Sequence, residues 1–284
     1  MMRVGIIGAG KVGTSLAFVL KKKGFKIVAV SDMAVPSLQT AAKYLGEDVL
    51  CTQNNMDVVA ASDAVAITTQ DRVIQDVAKE IDAKADKLDG KLIFHTSGAD
   101  PSSILLPLDK KGAFLGSLHP LQTFPDIDSA IGVLPDTCIF IEGDEAAIPL
   151  LKQLGESIGA KVYTIAGKDK VVYHLSAVFV CNLLSALMYA GKGLMDRINI
   201  DFEPFLPIIR ATMKNIENRG PLTALTGPVV RGDVKTVRAH LSSIEHMELH
   251  TKIYKALSRA AVQMAEERKT IDEKTVETLK DVLK

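Results

Sequence analysis

Short apolar runs alternate with amphipathic stretches over the first 165 residues of the chain. The apolar runs predict seven strands, at residues 2–7, 26–31, 63–67, 91–95, 113–118, 137–141 and 160–164. Apolar positions at helical spacing lie between several of them, for example at 71–82 and 144–157. Strands that alternate with helices predict a mostly parallel sheet with helices on both faces.

Beyond Gly167 the pattern is helical, with few strand signals. Helical spacing extends over residues 168–195, 203–219, 233–267 and 272–283. Glycine and proline interrupt it at 220–233, in the segment GPLTALTGPVVRGD. The change in pattern predicts two domains, an α/β domain at 1–166 and an all-helical domain at 167–284.

Three glycines follow the first strand directly. Gly8, Gly10 and Gly13 form the pattern G-x-G-x-x-G between the strand VGII and a helical stretch that stops at Gly24. The first glycine permits a tight turn, the second lets a pyrophosphate approach the backbone, and the third lets the helix pack on the strand. This context predicts a doubly wound, Rossmann-type dinucleotide-binding domain. The alternative is a glycine-rich turn that binds nothing.

The predicted cofactor is NAD or NADP. Asp32 lies at the end of the second strand, where an acidic side chain accepts a hydrogen bond from the ribose 2′-OH of NAD and repels a 2′-phosphate. Ser31 is the alternative occupant of that position, so the preference for NAD stays open. The predicted cofactor-binding residues are Gly8, Ala9, Gly10, Lys11, Val12, Gly13, Ser31, Asp32, Thr68 and Thr69.

Three later strands end in polar loops, TTQD at 68–71, HTSGAD at 95–100 and SLHPLQTF at 117–124. Because ligands of parallel sheets lie beyond the carboxyl ends of the strands, these loops are predicted to meet near the glycine turn. His119 is the predicted proton-transfer residue, since an imidazole exchanges protons near neutral pH. Ser97 is predicted to orient it, and Gln122 to contact substrate. The alternatives are a turn-capping histidine and a simple Ser-Gly turn.

The helical region adds three candidates. His174 and Asn182 lie about 80° apart around one helix and are predicted to line a cleft between the domains, Asn182 as a catalytic residue. Arg231 would pair with a substrate carboxylate, or with Asp233 as an internal brace. The stretch at 175–190 is apolar almost all round, which predicts a buried central helix or the interface of a homodimer.

Composition narrows the class of protein. The 284 residues carry 34 basic and 34 acidic side chains, a balance that argues against nucleic acid and against a polybasic membrane contact. Three dispersed cysteines favour reduced thiols and no metal site. The first strand begins at once and no apolar run reaches about 18 residues, so a cytoplasmic protein without a membrane span is expected.

The segments VGIIGAGKVGTSLA, FHTSGAD, GSLHPLQTF and LTGPVVRGD resemble an uncharacterised group of bacterial Rossmann-like proteins. That group is related to the 6-phosphogluconate and β-hydroxyacid dehydrogenase superfamily and to pyrroline-carboxylate reductase. The resemblance covers the whole chain and implies an N-terminal NAD(P) domain, a helical dimerisation domain and oxidoreductase activity.

Two narrower similarities concern individual residues. GSLHPLQ is similar to the catalytic histidine loop of prephenate and arogenate dehydrogenases, which implies roles for His119 and Ser97. The β-hydroxyacid dehydrogenases carry a lysine one turn before an asparagine, whereas Val178 stands four residues before Asn182 here. Ser31-Asp32 likewise stands in place of the serine–arginine pair that suits NADP.

The sequence therefore predicts an NAD(P)-dependent dehydrogenase that moves a hydride between nicotinamide and a small hydroxy or oxo acid. One alternative is an imine reductase of the pyrroline-carboxylate reductase type. The other is a dinucleotide-sensing protein without turnover, because Rossmann folds support both catalysis and sensing.

Overall fold

The computed structural model describes residues 2–284 and contains an eight-stranded sheet. The strands are β1 (Arg3–Ile7), β2 (Lys26–Ser31), β3 (Leu50–Thr52), β4 (Ala64–Ile67), β5 (Leu92–His95), β6 (Phe114–Pro120), β7 (Cys138–Gly143) and β8 (Lys161–Thr164). Their spatial order is β3-β2-β1-β4-β5-β6-β7-β8. The order in which strands are added reverses after β3, so that β1 and β4 are parallel neighbours, and this boundary is the switch point where doubly wound sheets bind ligands.

The sheet is parallel except between β6 and β7. All seven strands predicted from apolar runs are present. The eighth, β3, escaped the prediction because it has three residues, LCT, too few to show a period.

Twelve α-helices accompany the sheet among the described residues. They are α1 (Lys11–Lys22), α2 (Val35–Leu45), α3 (Asn55–Ala61), α4 (Asp71–Lys84), α5 (Ile127–Val133), α6 (Ala147–Ser157), α7 (Lys170–Val180), α8 (Asn182–Asp196), α9 (Leu206–Ala224), α10 (Val234–Ile244), α11 (Glu248–Glu267) and α12 (Glu273–Val282). A 3-10 helical segment, Ser102–Lys111, connects β5 to β6.

The sheet separates two hydrophobic cores. In β1, β4 and β5 alternate residues go to opposite faces, so that Ile6 and Phe94 join one core while Ile7 and Ile93 join the other. Both faces are covered, and the central strands are therefore almost wholly buried.

The chain divides into two compact units, Met1–Asn182 and Leu183–Lys284. Helix α7 lies in the first unit, where its first residue, Lys170, is buried 3.8 Å from Glu142. The division at 166/167 expected from the sequence stays a prediction about domain organisation.

The second unit has its own core, formed by Val229, Val237, Val262, Val276, Leu279 and Leu283. Its helices differ from the sequence pattern at two points. The stretch expected as one helix over 233–267 is two helices, joined by a turn in which the Met247 N–H donates to the Ile244 carbonyl at 2.8 Å. Helix α9 is broken at Gly220, whose φ of 74° is left-handed.

Residues 167–196 meet the criterion of length and composition for a membrane-spanning helix, with a mean hydropathy of 1.8. The sequence analysis expected no membrane span, because no unbroken apolar run reaches about 18 residues. The segment is two helices, since Cys181 departs from helical dihedral angles, with φ −120° and ψ −71°.

Candidate active site

The glycine turn after β1 has the geometry that each glycine was expected to provide. Gly8 adopts a φ of 107°, and a side-chain carbon there would lie 2.8 Å from the Thr69 amide nitrogen. A side-chain carbon on Gly13 would overlap the Gly8 carbonyl and the Thr68 hydroxyl. Glycine at these two positions is therefore required by the close packing of α1 on β1 and β4.

Gly10 behaves differently, because a side-chain carbon built on it meets no described atom within 4 Å. Gly10 precedes the first turn of α1, where backbone N–H groups and the helix dipole favour an anion. Thr69 Oγ1 at the end of β4 is buried and has no hydrogen-bond partner among the described residues. The turn thus fits a dinucleotide: a free approach at Gly10, a helix N-terminus, and a nearby hydroxyl that lacks a partner.

Asp32 connects the second strand to this turn. Its Oδ2 accepts a hydrogen bond of 2.8 Å from the Ala9 N–H, and its Oδ1 accepts one of 2.8 Å from the Ala34 N–H. The neighbouring Ser31 is fully buried, and its hydroxyl donates to Asn55 Oδ1 at 2.7 Å. Of the two residues, the Asp32 carboxylate is therefore the one placed at the glycine turn.

The strand ends that follow lie at one edge of the sheet. Ile7 pairs with Ile67, Ile67 with His95, and His95 with Ser117. The loops after β1, β4 and β5 therefore open on one edge of the sheet. This agrees with the prediction that the loops after β4 and β5 lie at the edge of the glycine turn. Strand β6 extends beyond this line to Pro120, and His119 lies on that extension.

The imidazole of His119 is positioned by an aromatic group from α7. Its Nδ1 lies 2.8 Å from the Tyr173 hydroxyl, and the Tyr173 ring packs on Phe140 of β7 with centroids 4.3 Å apart. Burial, followed by the charges of Lys170 and His174, lowers the pKa of His119 to about 4. Burial raises the pKa of Tyr173. His119 is accordingly neutral at pH 7, and Tyr173 keeps its proton.

A second histidine faces the same point. A side-chain carbon on Gly98 would lie 2.8 Å from His119 Nε2 and 2.6 Å from His174 Nδ1. The two rings are 6.1 Å apart between centroids and nearly perpendicular. His174 Nδ1 is buried and has no hydrogen-bond partner in the described chain. His119 and His174, both singled out by the sequence, thus converge above Gly98.

Ser97 contacts its own loop. Its hydroxyl accepts from the Asp100 N–H at 3.0 Å and from the Ala99 N–H at 3.3 Å, and it donates to the Asp100 carboxylate at 3.3 Å. The described partner of His119 Nδ1 is Tyr173, so the expected orienting role of Ser97 on His119 stays a prediction. What the contacts show is a serine that shapes the turn carrying Gly98.

His95 contacts two backbone groups of the loop that carries Gly98. Its Nδ1 accepts from the Ser97 N–H at 3.2 Å, and its Nε2 lies 3.3 Å from the Pro101 carbonyl. The ring is fully buried, and burial together with the Lys170 charge lowers its pKa to about 3. His95 is therefore a neutral structural group under the Gly98 turn.

Lys170 is a buried cation at the start of α7. It is 1% exposed, and its ammonium donates 2.7 Å to the Ser97 carbonyl and also contacts the Ser117 hydroxyl. The Glu142 carboxylate lies 3.8 Å away and accepts from the Ser102 N–H and hydroxyl. Burial lowers the pKa of Lys170 to about 8, against the opposing effect of Glu142.

Three further predicted residues lie at the surface. Gln122 is exposed and accepts from the Thr123 N–H at 2.9 Å. Asn182 is exposed at the first turn of α8. Arg231 is exposed in the second unit, beside the Asp233 carboxylate, which caps α10 through the Thr236 N–H at 3.0 Å. Their substrate and catalytic roles stay predictions.

The sequence reasoning missed Tyr173, Lys170 and Glu142. A signal existed for Lys170, which lies four residues before His174 and so shares a helix face with it. Four residues before Asn182, where the β-hydroxyacid dehydrogenase pattern has its lysine, the chain has Val178. Tyr173 and Glu142 each follow apolar residues, and no sequence motif around either residue indicates a function.

Two family models match the chain. Residues 1–120 match the Rossmann-like domain, and residues 137–261 match DUF2520, a domain of unknown function. A comparison with curated proteins returned no match.

The solved structures include many similar folds. A Bacteroides fragilis protein proposed to be an NADP oxidoreductase is 25% identical with a TM-score of 0.73, over 91% of this chain and 97% of that one. A protein from Thermotoga maritima is 24% identical with a TM-score of 0.73, covering 94% and 99%. A reductive aminase from Aspergillus terreus, solved with NADPH, is 14% identical with a TM-score of 0.72, covering 100% of both chains. These likenesses establish the fold.

Proposed function

We propose that this chain, which joins a Rossmann-like domain to a DUF2520 domain, is an NAD(P)-dependent oxidoreductase that acts on a small hydroxy or oxo acid. The observation that carries the proposal is the position of His119. The residue lies on an extension of β6 beyond the sheet edge at which the glycine turn also opens. The similarity to the Bacteroides fragilis protein supports the cofactor class.

The residues around the glycine turn would hold the cofactor. The N–H groups of the first turn of α1 would bind the pyrophosphate beside Gly10, and Asp32 would accept from the adenosine ribose 2′-OH. Thr69 would supply its unpartnered hydroxyl. When bound, the nicotinamide supplies or accepts the hydride.

His119 would move the proton that accompanies the hydride. A phenol hydroxyl both donates and accepts, so Tyr173 can bond to either tautomer of His119. With Nδ1 accepting from Tyr173, the His119 Nε2–H faces Gly98 and donates. With Nδ1–H donating to Tyr173, Nε2 is free to accept a proton from an alcohol. The Tyr173 contact thus supports proton transfer in both directions.

The test compares His119→Asn with the wild type while NADH or NADPH consumption is followed over a panel of oxo acids. Loss of general acid–base catalysis costs about a hundred- to ten-thousand-fold in kcat, with cofactor affinity nearly unchanged. His246→Asn is the matched control, since His246 is exposed in the second unit. Equal turnover by His119→Asn would refute its role. Tight cofactor binding without turnover on any acid would favour the sensing alternative.

We further propose that the protein works as a homodimer in the cytoplasm. Helix α7 turns Tyr173 and His174 towards the site, but Val171, Val172 and Phe179 are between 61% and 67% exposed on the same helix. An apolar surface of this length on a monomer favours association with a partner. The second unit also contains an apolar cavity of about 490 Å³ between α8, α9 and α11.

A further inference from the structure

Three ring-bearing residues share one face of the sheet at the end formed by β6, β7 and β8. His119 of β6 is directly paired with Phe140 of the antiparallel β7, and Phe140 is paired with Tyr163 of β8. Side chains paired in this way project to the same face. Ile139 and Ile141, on either side of Phe140, go to the opposite face and enter the hydrophobic core. The three rings therefore form a row outside that core, with His119 at one end.

Tyr173 of α7 contacts two members of this row. Its hydroxyl lies 2.8 Å from His119 Nδ1, and its ring packs on Phe140 with centroids 4.3 Å apart and planes tilted by 37°. Tyr163, on the edge strand β8, stacks on Phe140 with centroids 5.2 Å apart and planes 18° apart. We call Phe140, Tyr163 and Tyr173 the aromatic brace. It connects the edge strand of the sheet to the imidazole of His119.

The aromatic brace is separate from the three hydrophobic cores of the described chain. Phe140 and Tyr173 are half-buried, and Tyr163 is 37% exposed. Aromatic rings in contact prefer particular geometries, so each ring of the brace restricts the rotation of its neighbour. Because the Tyr173 hydroxyl is the hydrogen-bond partner of His119 Nδ1, the place where the brace holds that hydroxyl determines how the imidazole is oriented.

We propose that Phe140 and Tyr163 are positioning residues for the proton transfer assigned above to His119. They hold the Tyr173 ring, and the Tyr173 hydroxyl in turn holds the imidazole with Nε2 towards Gly98. The inference rests on the proposed oxidoreductase function and adds two residues to its site. Neither residue donates or accepts the proton, and both act on His119 through Tyr173.

Proton transfer depends on this orientation for a geometric reason. A hydrogen bond to one ring nitrogen of a histidine fixes the direction and the protonation of the other nitrogen. The transferring nitrogen must lie within hydrogen-bond reach of the reacting group, and a displacement of about 1 Å can cost about a hundredfold in rate. Without the support of Phe140, the Tyr173 ring is free to move away from β7, and His119 loses the contact that orients it.

The first test records the imidazole resonances of His119 in the full chain, labelled with ¹⁵N-histidine and free of cofactor, with His119→Asn to assign them. Tyr173→Phe removes the hydroxyl and should shift the Nδ1 resonance of His119. Phe140→Leu keeps that hydroxyl but removes the ring that supports it, and should shift the resonance in the same direction. Phe140→Tyr retains a ring and should keep the wild-type resonance. Phe114→Leu is the matched control, because Phe114 is a half-buried phenylalanine at the other end of β6.

The second test measures kcat and KM of the same variants on an acid that the wild type turns over. Phe140→Leu should lower kcat about ten- to hundredfold with KM nearly unchanged, and Phe140→Tyr should restore kcat. The double variant with Tyr173→Phe and Phe140→Leu should have the kcat of Tyr173→Phe alone, because both changes remove the same hydrogen bond. Tyr163→Ser should cause a smaller loss of the same kind.

An unshifted His119 Nδ1 resonance in Phe140→Leu would overturn the proposal, and so would a double variant whose loss is the product of the two single losses. If Phe140→Leu does not fold, Tyr163→Ser decides in its place, since Tyr163 is exposed on the edge strand. It should shift the Nδ1 resonance in the direction of Tyr173→Phe, and an unchanged resonance would again overturn the proposal. The resonance test needs neither cofactor nor turnover. Coupled shifts in a chain that consumes no NADH or NADPH would therefore count against the proposed function alone.

Discussion

The Lys170 ammonium donates a 2.7 Å hydrogen bond to the carbonyl oxygen of Ser97, 73 residues earlier in the chain. The same ammonium contacts Ser117 on β6 and lies 3.8 Å from Glu142 on β7. One side chain thus ties the first turn of α7 to the Gly98 loop and to two strands. The site histidines lie on the elements that this cation holds together.

Lys170→Met should destabilise the protein strongly. Removing one member of a buried ion pair leaves the other charge unpaired, which costs about 3–5 kcal/mol in the free energy of unfolding. Urea denaturation measures the loss, with Lys168→Met as the control because Lys168 is exposed two residues earlier. Glu142→Gln added to Lys170→Met should recover part of it. A loss below about 1 kcal/mol would show that the pair is dispensable.

Stability should fall as the solution becomes acidic. The pKa values of His95 and His119, about 3 and about 4, are both below the ordinary 6.5. Between pH 6.5 and 4 the unfolded chain therefore binds more protons than the folded chain, and the free energy of unfolding decreases as the pH falls. Each histidine contributes up to about 1.4 kcal/mol per pH unit.

Urea denaturation at several pH values between 6.5 and 5 measures this slope. His119→Asn should make it shallower by the contribution of one group, whereas exposed His246→Asn should leave it unchanged. An identical slope in His119→Asn would mean that His119 titrates normally in the folded protein.

Gly10→Val should abolish dinucleotide binding without unfolding the chain. A Cβ at Gly10 meets no described atom within 4 Å, so the fold accommodates it, but a branched side chain would occupy the approach to the backbone. Isothermal titration with NAD(H) and NADP(H) measures the loss. Gly132→Val on α5 is the control, since a Cβ there is equally unobstructed. Unchanged affinity for both cofactors would exclude the turn as their site.

Asp32→Asn should improve the affinity for NADP relative to NAD. The amide keeps one acceptor oxygen for the Ala9 or Ala34 N–H but removes the charge that repels a 2′-phosphate. The wild type should accordingly prefer NAD, as determined from the two dissociation constants. A wild type that binds NADP more tightly than NAD would mean that Asp32 stabilises the glycine turn and does not contact the 2′ group of the adenosine ribose.

Phe179→Glu should dissociate a dimer. The wild type should scatter light with twice the 30.6 kDa mass of one chain at micromolar concentration. A charge placed on the exposed apolar face of α7 should return the mass to that of one chain, because a buried unpaired carboxylate is costly. Val35→Glu, at an apolar residue of α2 that is 48% exposed, is the control. A wild-type mass of 30.6 kDa would contradict the dimer.

The sequence by itself determined the features whose causes are local. The glycine turn follows from backbone freedom at Gly8 and close packing at Gly13, and both operate within a few residues. The strand pattern follows from alternating burial, and seven strands were predicted with ends within a few residues of those observed. The meeting of three loops at one edge followed because parallel strands carry their carboxyl ends to the same side.

Only the tertiary structure decided which polar side chains serve the site. Lys170 looks like an exposed residue at a helix start, and only the packing of α7 against β6 and β7 buries it on Ser97. The contact of Tyr173 with His119 Nδ1 depends on the same packing. Contacts between residues 54 or 73 positions apart depend on how whole elements pack. The residue spacing within a single helix or strand does not predict such contacts. The glycine turn, by contrast, depends only on the six residues from Gly8 to Gly13.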